Sequence, residues 1–109
     1  MLLTNPRPDT FREIYMCCGY TDMRKSIDGL AGVVYDTYGM DPYREDVLFL
    51  FCGGAAYKLK GIVWEYNGFL LIQKRLRNTK FKWIRDASLG MKQITFEQYH
   101  HLINEGTLS

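Results

Sequence analysis

The stretch KLKGIVWEYNGFLLIQKRL, Lys58 to Leu76, decides the fold. Two runs rich in β-branched, aromatic and aliphatic residues flank Asn67-Gly68, the strongest short-range signal for a tight hairpin, with a type I′ turn. With that turn, Tyr66 faces Phe69, Trp64 faces Leu71, Ile62 faces Gln73 and Lys60 faces Arg75. On the other side Val63 meets Ile72 and Leu59 meets Leu76. Leu59, Val63, Leu70, Ile72 and Leu76 therefore share an apolar face. The opposite face gathers cations at one end and Trp64, Tyr66 and Phe69 at the other. A second turn at Asn78-Thr79 returns the chain into KFKWI, adding Phe81 and Trp83 to the apolar face.

Strands and helices follow on either side. Upstream, VLFLFC (Val47–Cys52) is a continuous apolar run of strand length, as a buried central strand requires. EIYMCC (Glu13–Cys18) reads as a short first strand. Between them Met23, Ile27, Leu30, Val34 and Tyr38 recur at helical spacing and form one apolar stripe. Thr21 or Asp22 is the expected cap and Gly39 the expected stop. Gly29 and Gly32, each costing about 1 kcal/mol against alanine, suggest that another element packs closely there. Downstream, ITFEQYHHLINEG carries the capping box Thr95-x-x-Gln98, a short stripe and a terminal Gly106, marking a second helix. The expected class is α+β: an antiparallel β-meander of about four to five strands with two helices, the first packed on the apolar sheet face. The 109 residues read as one domain, with residues 1–10 as an irregular N-terminal arm and 11–106 as the globular part.

Composition narrows the function classes. Apolar residues make up 47% and no apolar run reaches the length of a membrane span, so no membrane partner is expected. No charged start leads into an apolar signal segment, which points to the cytoplasm. Three cysteines, two of them adjacent, suit small buried thiols better than a disulfide framework. Consecutive His100 and His101 diverge on a helix, so neither a metal site nor a cofactor is expected. Asp22 with Glu13 or His100 is the nearest approach to an acid–base pair, and nothing in the spacing assembles it. No catalytic residue is assigned, and a small metal-dependent nuclease is the weaker alternative.

Charge distribution is the informative feature. KRLRNTKFKWIR, Lys74 to Arg85, holds six basic residues and no acid, leaving eight basic against twelve acidic residues elsewhere. Such a tract suits phosphates, and exposed rings beside it suit bases. The candidate contacts are Lys60, Lys74, Arg75, Arg77, Lys80, Lys82 and Arg85, with Arg24 and Lys25 from the polar helix start. Trp64, Tyr66 and Phe69 are the aromatic candidates. The same residues admit another use, as an apolar centre with a basic rim that docks an acidic protein.

The segments CGYTDMRKSIDGL, LFLFCG followed by KLKGIVWEYNGFLLIQKRL, and FKW, in this order, resemble the TnpB family. These are the second open reading frame products of bacterial insertion sequences of the sixty-six family. The resemblance runs from about Ile14 to Gly106. It implies a non-enzymatic accessory protein of DNA transposition. The implied partners are element-end DNA, the large transposase and a second accessory protein of the same transposable element. Many relatives carry a basic run after the central strand, where this chain has CGGAAYKLK, and Trp-Pro where it has Trp83-Ile84. If that run contacts DNA in relatives, the resemblance implies that this chain either binds more weakly or relies on the Lys74–Arg85 tract.

Overall fold

The computed structural model describes residues 6–109. Five strands, β1 (Glu13–Cys17), β2 (Val47–Cys52), β3 (Lys58–Glu65), β4 (Gly68–Arg75) and β5 (Met91–Ile94), form one sheet in the order β4-β3-β2-β1-β5. Helix α1 (Ile27–Gly32) widens into a π-helical turn over Val33–Thr37, and α2 (Phe96–Glu105) follows the last strand. The class is α+β. Three of the four strand pairs are antiparallel, but β1 and β2 run parallel, with Glu13 opposite Val47 and Met16 opposite Leu50. The sheet is therefore mixed and not a pure meander: α1 crosses over between β1 and β2 and delivers the chain back to the same end.

Both sheet faces are apolar, which corrects the expected site of the first helix. Every residue of β2 is buried, alternating Leu48 and Leu50 with Phe49 and Phe51. One face joins Ile14, Met16, Leu59 and Val63 to Tyr99 and Leu102 of α2. The other joins Cys17, Val47, Phe49, Phe51 and Ile62 to Leu30, Ala31 and Val34. The helical stripe is as read, but α1 covers the Ile62 face, and α2 covers the face built by Leu59 and Val63. Cys17 and Cys18 point to opposite faces, and all three cysteines are buried and unbridged. Burial pushes the Cys18 and Cys52 thiols up.

Local geometry revises several boundaries. The helix is capped by Ser26, whose hydroxyl accepts from the Gly29 amide at 3.3 Å. Thr21 does not cap it: the residue lies five positions before Ser26, its hydroxyl faces the Cys17 sulfur at 4.0 Å, and its amide donates to the Cys52 carbonyl at 3.0 Å. Asp22 instead organises a turn, accepting from the Arg24 amide at 2.9 Å. Gly39, at φ +64, ends the helical stretch as expected. The nearest atoms that a side chain at Gly29 or Gly32 would meet, among the described residues, belong to Lys25, Ser26 and Asp36, in the same helical stretch and the turn before it. The close approaches are at Gly53, where a Cβ would lie 2.7 Å from the Met23 side chain, and within the sheet at Gly61, where it would lie 3.0 Å from Leu50 and 3.2 Å from Leu48.

The hairpin pairs Trp64 with Phe69, Ile62 with Leu71 and Lys60 with Gln73, two residues off the expected register. The positive φ falls on Tyr66, at +57, and Glu65 pairs with Gly68. The connector before β2 fixes this choice: Asp46 donates its amide to the Trp64 carbonyl, and Glu45 accepts from the Tyr66 amide at 3.1 Å. A two-residue slip leaves every side chain on its expected face.

KFKWI is not a strand. Its alternation is real, with Phe81 and Trp83 buried and Lys82 exposed, but its backbone bonds go to separate partners. Phe81 donates to Ala56, Lys82 to Gly106, and the Ile84 carbonyl accepts from Gly19. The fifth strand lies at MKQI, pairing with β1. The capping box of α2 is complete, and Gly106 closes it at φ +80. Of the expected arm, residues 6–10 form a turn with Thr10 donating its amide to Arg7, and residues 1–5 lie outside the described residues. Among the described residues, no helix is long and apolar enough to cross a membrane.

Candidate nucleic-acid interface

The parallel β1–β2 pair sends both carboxyl ends to one edge of the molecule, where β3 begins and β4 ends. Three loops meet there: 18–26, 53–57 and the irregular segment 76–90. Lys58 and Arg75 sit directly opposite each other across β3 and β4. Acidic Glu13, Glu45, Asp46 and Glu65 lie at the other end of these strands. The charge asymmetry of the sequence thus becomes a polarity along the strand axis.

Within the basic end, Tyr57, Arg75, Arg77, Asn78, Thr79 and Lys80 line an open groove of about 690 Å³. The Arg75 guanidinium lies 5.1 Å above the Tyr57 ring. A second groove, of about 280 Å³, shares Tyr57 and runs between Asp22–Arg24 and Gly53–Lys58. Among the described residues, ion pairs engage Arg7, Arg24 and Arg44, and none of the cations lining the larger groove. Uncompensated cations concentrated around an open concavity raise the local density of anions.

The expected contacts divide sharply. Arg75, Arg77 and Lys80 are brought together, and exposed Lys82 and Lys25 belong to the same end. Arg24 is exposed but committed to Asp22, with Nε–Oδ1 at 3.0 Å and Nη2–Oδ2 at 2.9 Å. That fork holds the Asp22 carboxyl down to about 2. Lys60 is withdrawn from the surface: it is 8% exposed and its ammonium donates to the Lys25 carbonyl at 3.1 Å. The expected basic sheet face is cut back to β4: the segment that opens α1 lies over Lys60, while Gln73 and Arg75 on the same face stay exposed. Lys74 donates to the Ile103 carbonyl at 2.7 Å, satisfying an otherwise unpaired acceptor in the last turn of α2. Arg85 donates to the Gly19 carbonyl at 2.8 Å and the Gly53 carbonyl at 2.6 Å, tying the loops after β1 and β2 together.

The aromatic candidates lie at the wrong end for this groove. Trp64 is six residues, roughly 20 Å, from Lys58 along β3. It packs edge-on against Phe69 at 5.1 Å and Tyr43 at 5.2 Å, in a partly buried cluster. Tyr66 is 82% exposed beside the acidic connector. The rings at the basic end are Tyr57 and Tyr20, the latter 70% exposed with the Arg85 guanidinium 4.4 Å above it. Sequence reasoning passed over both. Tyr57 belongs to the loop GGAAY, which the Lys58–Arg75 pairing and the amides of Leu76 and Phe81, donating to the carbonyls of Tyr57 and Ala56, hold against the basic tract.

Glu13 opens β1 and Asp22 lies past its other end, so the two do not form an acid–base pair. Glu13 is held by Arg44 and the Tyr15 hydroxyl, which keep its carboxyl below the usual range. Among the described residues, no three His, Cys, Asp or Glu side chains gather as metal ligands.

The chain is similar to the "Uncharacterized protein y4jC" of Sinorhizobium fredii (strain NBRC 101917 / NGR234), with 31% identity over 77 residues. That alignment covers 69% of this chain and spans 65% of the relative's length. No solved structure matches the chain. The family model described as "IS66 Orf2 like protein" matches residues 12–108, which takes in all five strands and both helices. The chain belongs to the IS66 Orf2-like family.

Proposed function

We propose that this protein binds element-end DNA through its basic end, as a non-enzymatic part of the accessory role in insertion-sequence transposition that its family implies. The observation that carries the reading is the groove at Tyr57, Arg75, Arg77 and Lys80, whose cations form no ion pair among the described residues. Cations held at a fixed concavity neutralise phosphates and release condensed counterions. The large transposase and the second accessory protein of the element are the proposed protein partners, engaged away from the DNA face.

Replacing Arg75, Arg77, Lys80 and Lys82 together with glutamine tests it. Binding to a duplex carrying the element end, followed by fluorescence anisotropy across salt concentrations, is expected to weaken. The log–log salt slope is expected to flatten by about 0.9 for each phosphate that is no longer neutralised. A folded variant with an unchanged slope removes the basic end from the proposal.

One observation favours a second surface, for protein. Tyr43, Trp64 and Phe69 form a partly exposed aromatic cluster at the acidic end, distinct from the groove. Capture of the element's transposase that survives nuclease treatment and is abolished in Trp64→Ala assigns the partner surface there. Loss of capture on nuclease treatment alone assigns it to bridging DNA.

A further inference from the structure

Tyr20 is an exposed aromatic ring with an unusual degree of restraint. A tyrosine at 70% exposure ordinarily samples several rotamers, because nothing opposes the motion. Here one face of the ring lies under the Arg85 guanidinium at 4.4 Å. That guanidinium is itself pinned by the Gly19 and Gly53 carbonyls, from the loops after two neighbouring strands. Gly54 lies beside the ring, where an added Cβ would come within 3.6 Å of Cδ1. With one face covered and so much of the side chain exposed, the other face is open to solvent.

Tyr57 repeats the arrangement. Arg75 lies over its ring at 5.1 Å, it is 37% exposed, and it stands where the two grooves join. The same short loop that ends in Tyr57 begins at Gly53, beside Tyr20. Two cation-backed rings therefore bracket one loop at the basic end of the sheet.

A preorganised open ring offers little to duplex DNA, whose bases are stacked inside the helix and present only edges to the grooves. It offers much to an unpaired base, whose π-face is free. Arginine behind the ring adds positive potential for the adjoining phosphate and lowers the ordering cost of binding. We propose that the basic end takes single-stranded DNA, with Tyr20 and Tyr57 as base-stacking platforms and Arg77 and Lys80 on the backbone between bases. This rests on the reading of the basic end as the DNA face, and specifies the strand state that it receives.

The test compares a labelled 20-nucleotide thymidine oligomer with a 20-base-pair duplex at one salt concentration. The wild-type protein is expected to bind the single strand more tightly. Tyr20→Ala and Tyr57→Ala are each expected to weaken single-strand binding by about five- to a hundred-fold and to leave duplex binding within about two-fold. Tyr20→Phe and Tyr57→Phe, which keep the ring, are expected to restore it. Equal losses on both substrates, or alanine variants that bind the single strand like wild type, overturn the stacking role. If duplex binding and its salt slope persist in that case, the DNA face itself stands; if neither substrate binds wild type, both readings fall. Photocrosslinking of wild-type protein to an oligomer carrying 5-iododeoxyuridine covers the case of an unfolded variant. Adducts in the peptides containing Tyr20 or Tyr57 support the proposal, and adducts confined to Trp64 or Tyr66 overturn it.

Discussion

Arg77 and Arg85 are both arginines of one basic tract, and the structure separates them into two roles that a pair of variants distinguishes. Arg85→Met removes two charge-assisted hydrogen bonds, to the carbonyls of buried Gly19 and Gly53, and the stacking on Tyr20. Such bonds are worth about 1.5–3 kcal/mol each and an exposed cation–π interaction about 0.5–1 kcal/mol. Arg85 is only half-buried, so water recovers part of this, and the expected net loss is about 2–3 kcal/mol. For a chain of 109 residues that corresponds to roughly 8–12 °C in Tm. Arg77→Met alters an exposed side chain with no ion-pair partner among the described residues, and stability is expected to stay within about 0.5 kcal/mol of wild type. Urea unfolding followed by tryptophan fluorescence, with unchanged m values, gives both numbers. In DNA titrations Arg77→Met is expected to flatten the salt slope by about 0.9. In urea, Arg85→Lys, which keeps a charge but loses the planar fork of two nitrogens that spans the Gly19 and Gly53 carbonyls, is still expected to destabilise. Equal stability losses in the two methionine variants, or an Arg85→Met protein as stable as wild type, would refute the division.

The Asp22 carboxyl, lowered from 3.8 to about 2 by Arg24, gives a pH test. Because the folded value is depressed, the pair's contribution is complete above about pH 4 and is lost as pH falls through about 2. A carboxyl-carbon NMR titration is expected to place its midpoint near 2, moving up towards 3.8 in Arg24→Gln; a wild-type midpoint near 4 denies the fork in solution. Gly61→Ala adds a methyl 3.0 Å from Leu50, so it is expected to destabilise by about 1–3 kcal/mol despite the better strand propensity of alanine. Equal or greater stability in urea would show that the two leucines yield freely.

Side-chain alternation made the hairpin faces legible from Lys58 to Leu76, because a slip of two residues changes no face. It could not choose between registers, since Glu45 and Asp46, twenty residues upstream, clamp the turn. The Met23–Tyr38 stripe showed a helix but not its target. Lys60 and Arg75 made one sheet face look polar, whereas Phe49, Phe51 and Ile62 make its centre as apolar as the other. The candidate interface was legible as net charge in Lys74–Arg85. Which cations are free was not: Lys74, Lys60 and Arg85 are consumed by backbone carbonyls whose proximity arises only in the folded chain. Tyr20 and Tyr57 carried no local signal at all, being single aromatics at loop ends.

The pairing of β5 with β1 has a consequence for biosynthesis. Strand β1 is synthesised well before β5, so its second edge stays open until Met91–Ile94 have been made. The buried face under α2 likewise waits for Tyr99 and Leu102. Between the synthesis of β1 and that of the last helix the nascent chain thus carries an unprotected strand edge and a bare apolar surface, the state that invites chaperone holding or edge-to-edge aggregation. A premature stop anywhere before the last helix would leave that surface uncovered, so truncated products are expected to be cleared or to precipitate and not to persist as competing binders.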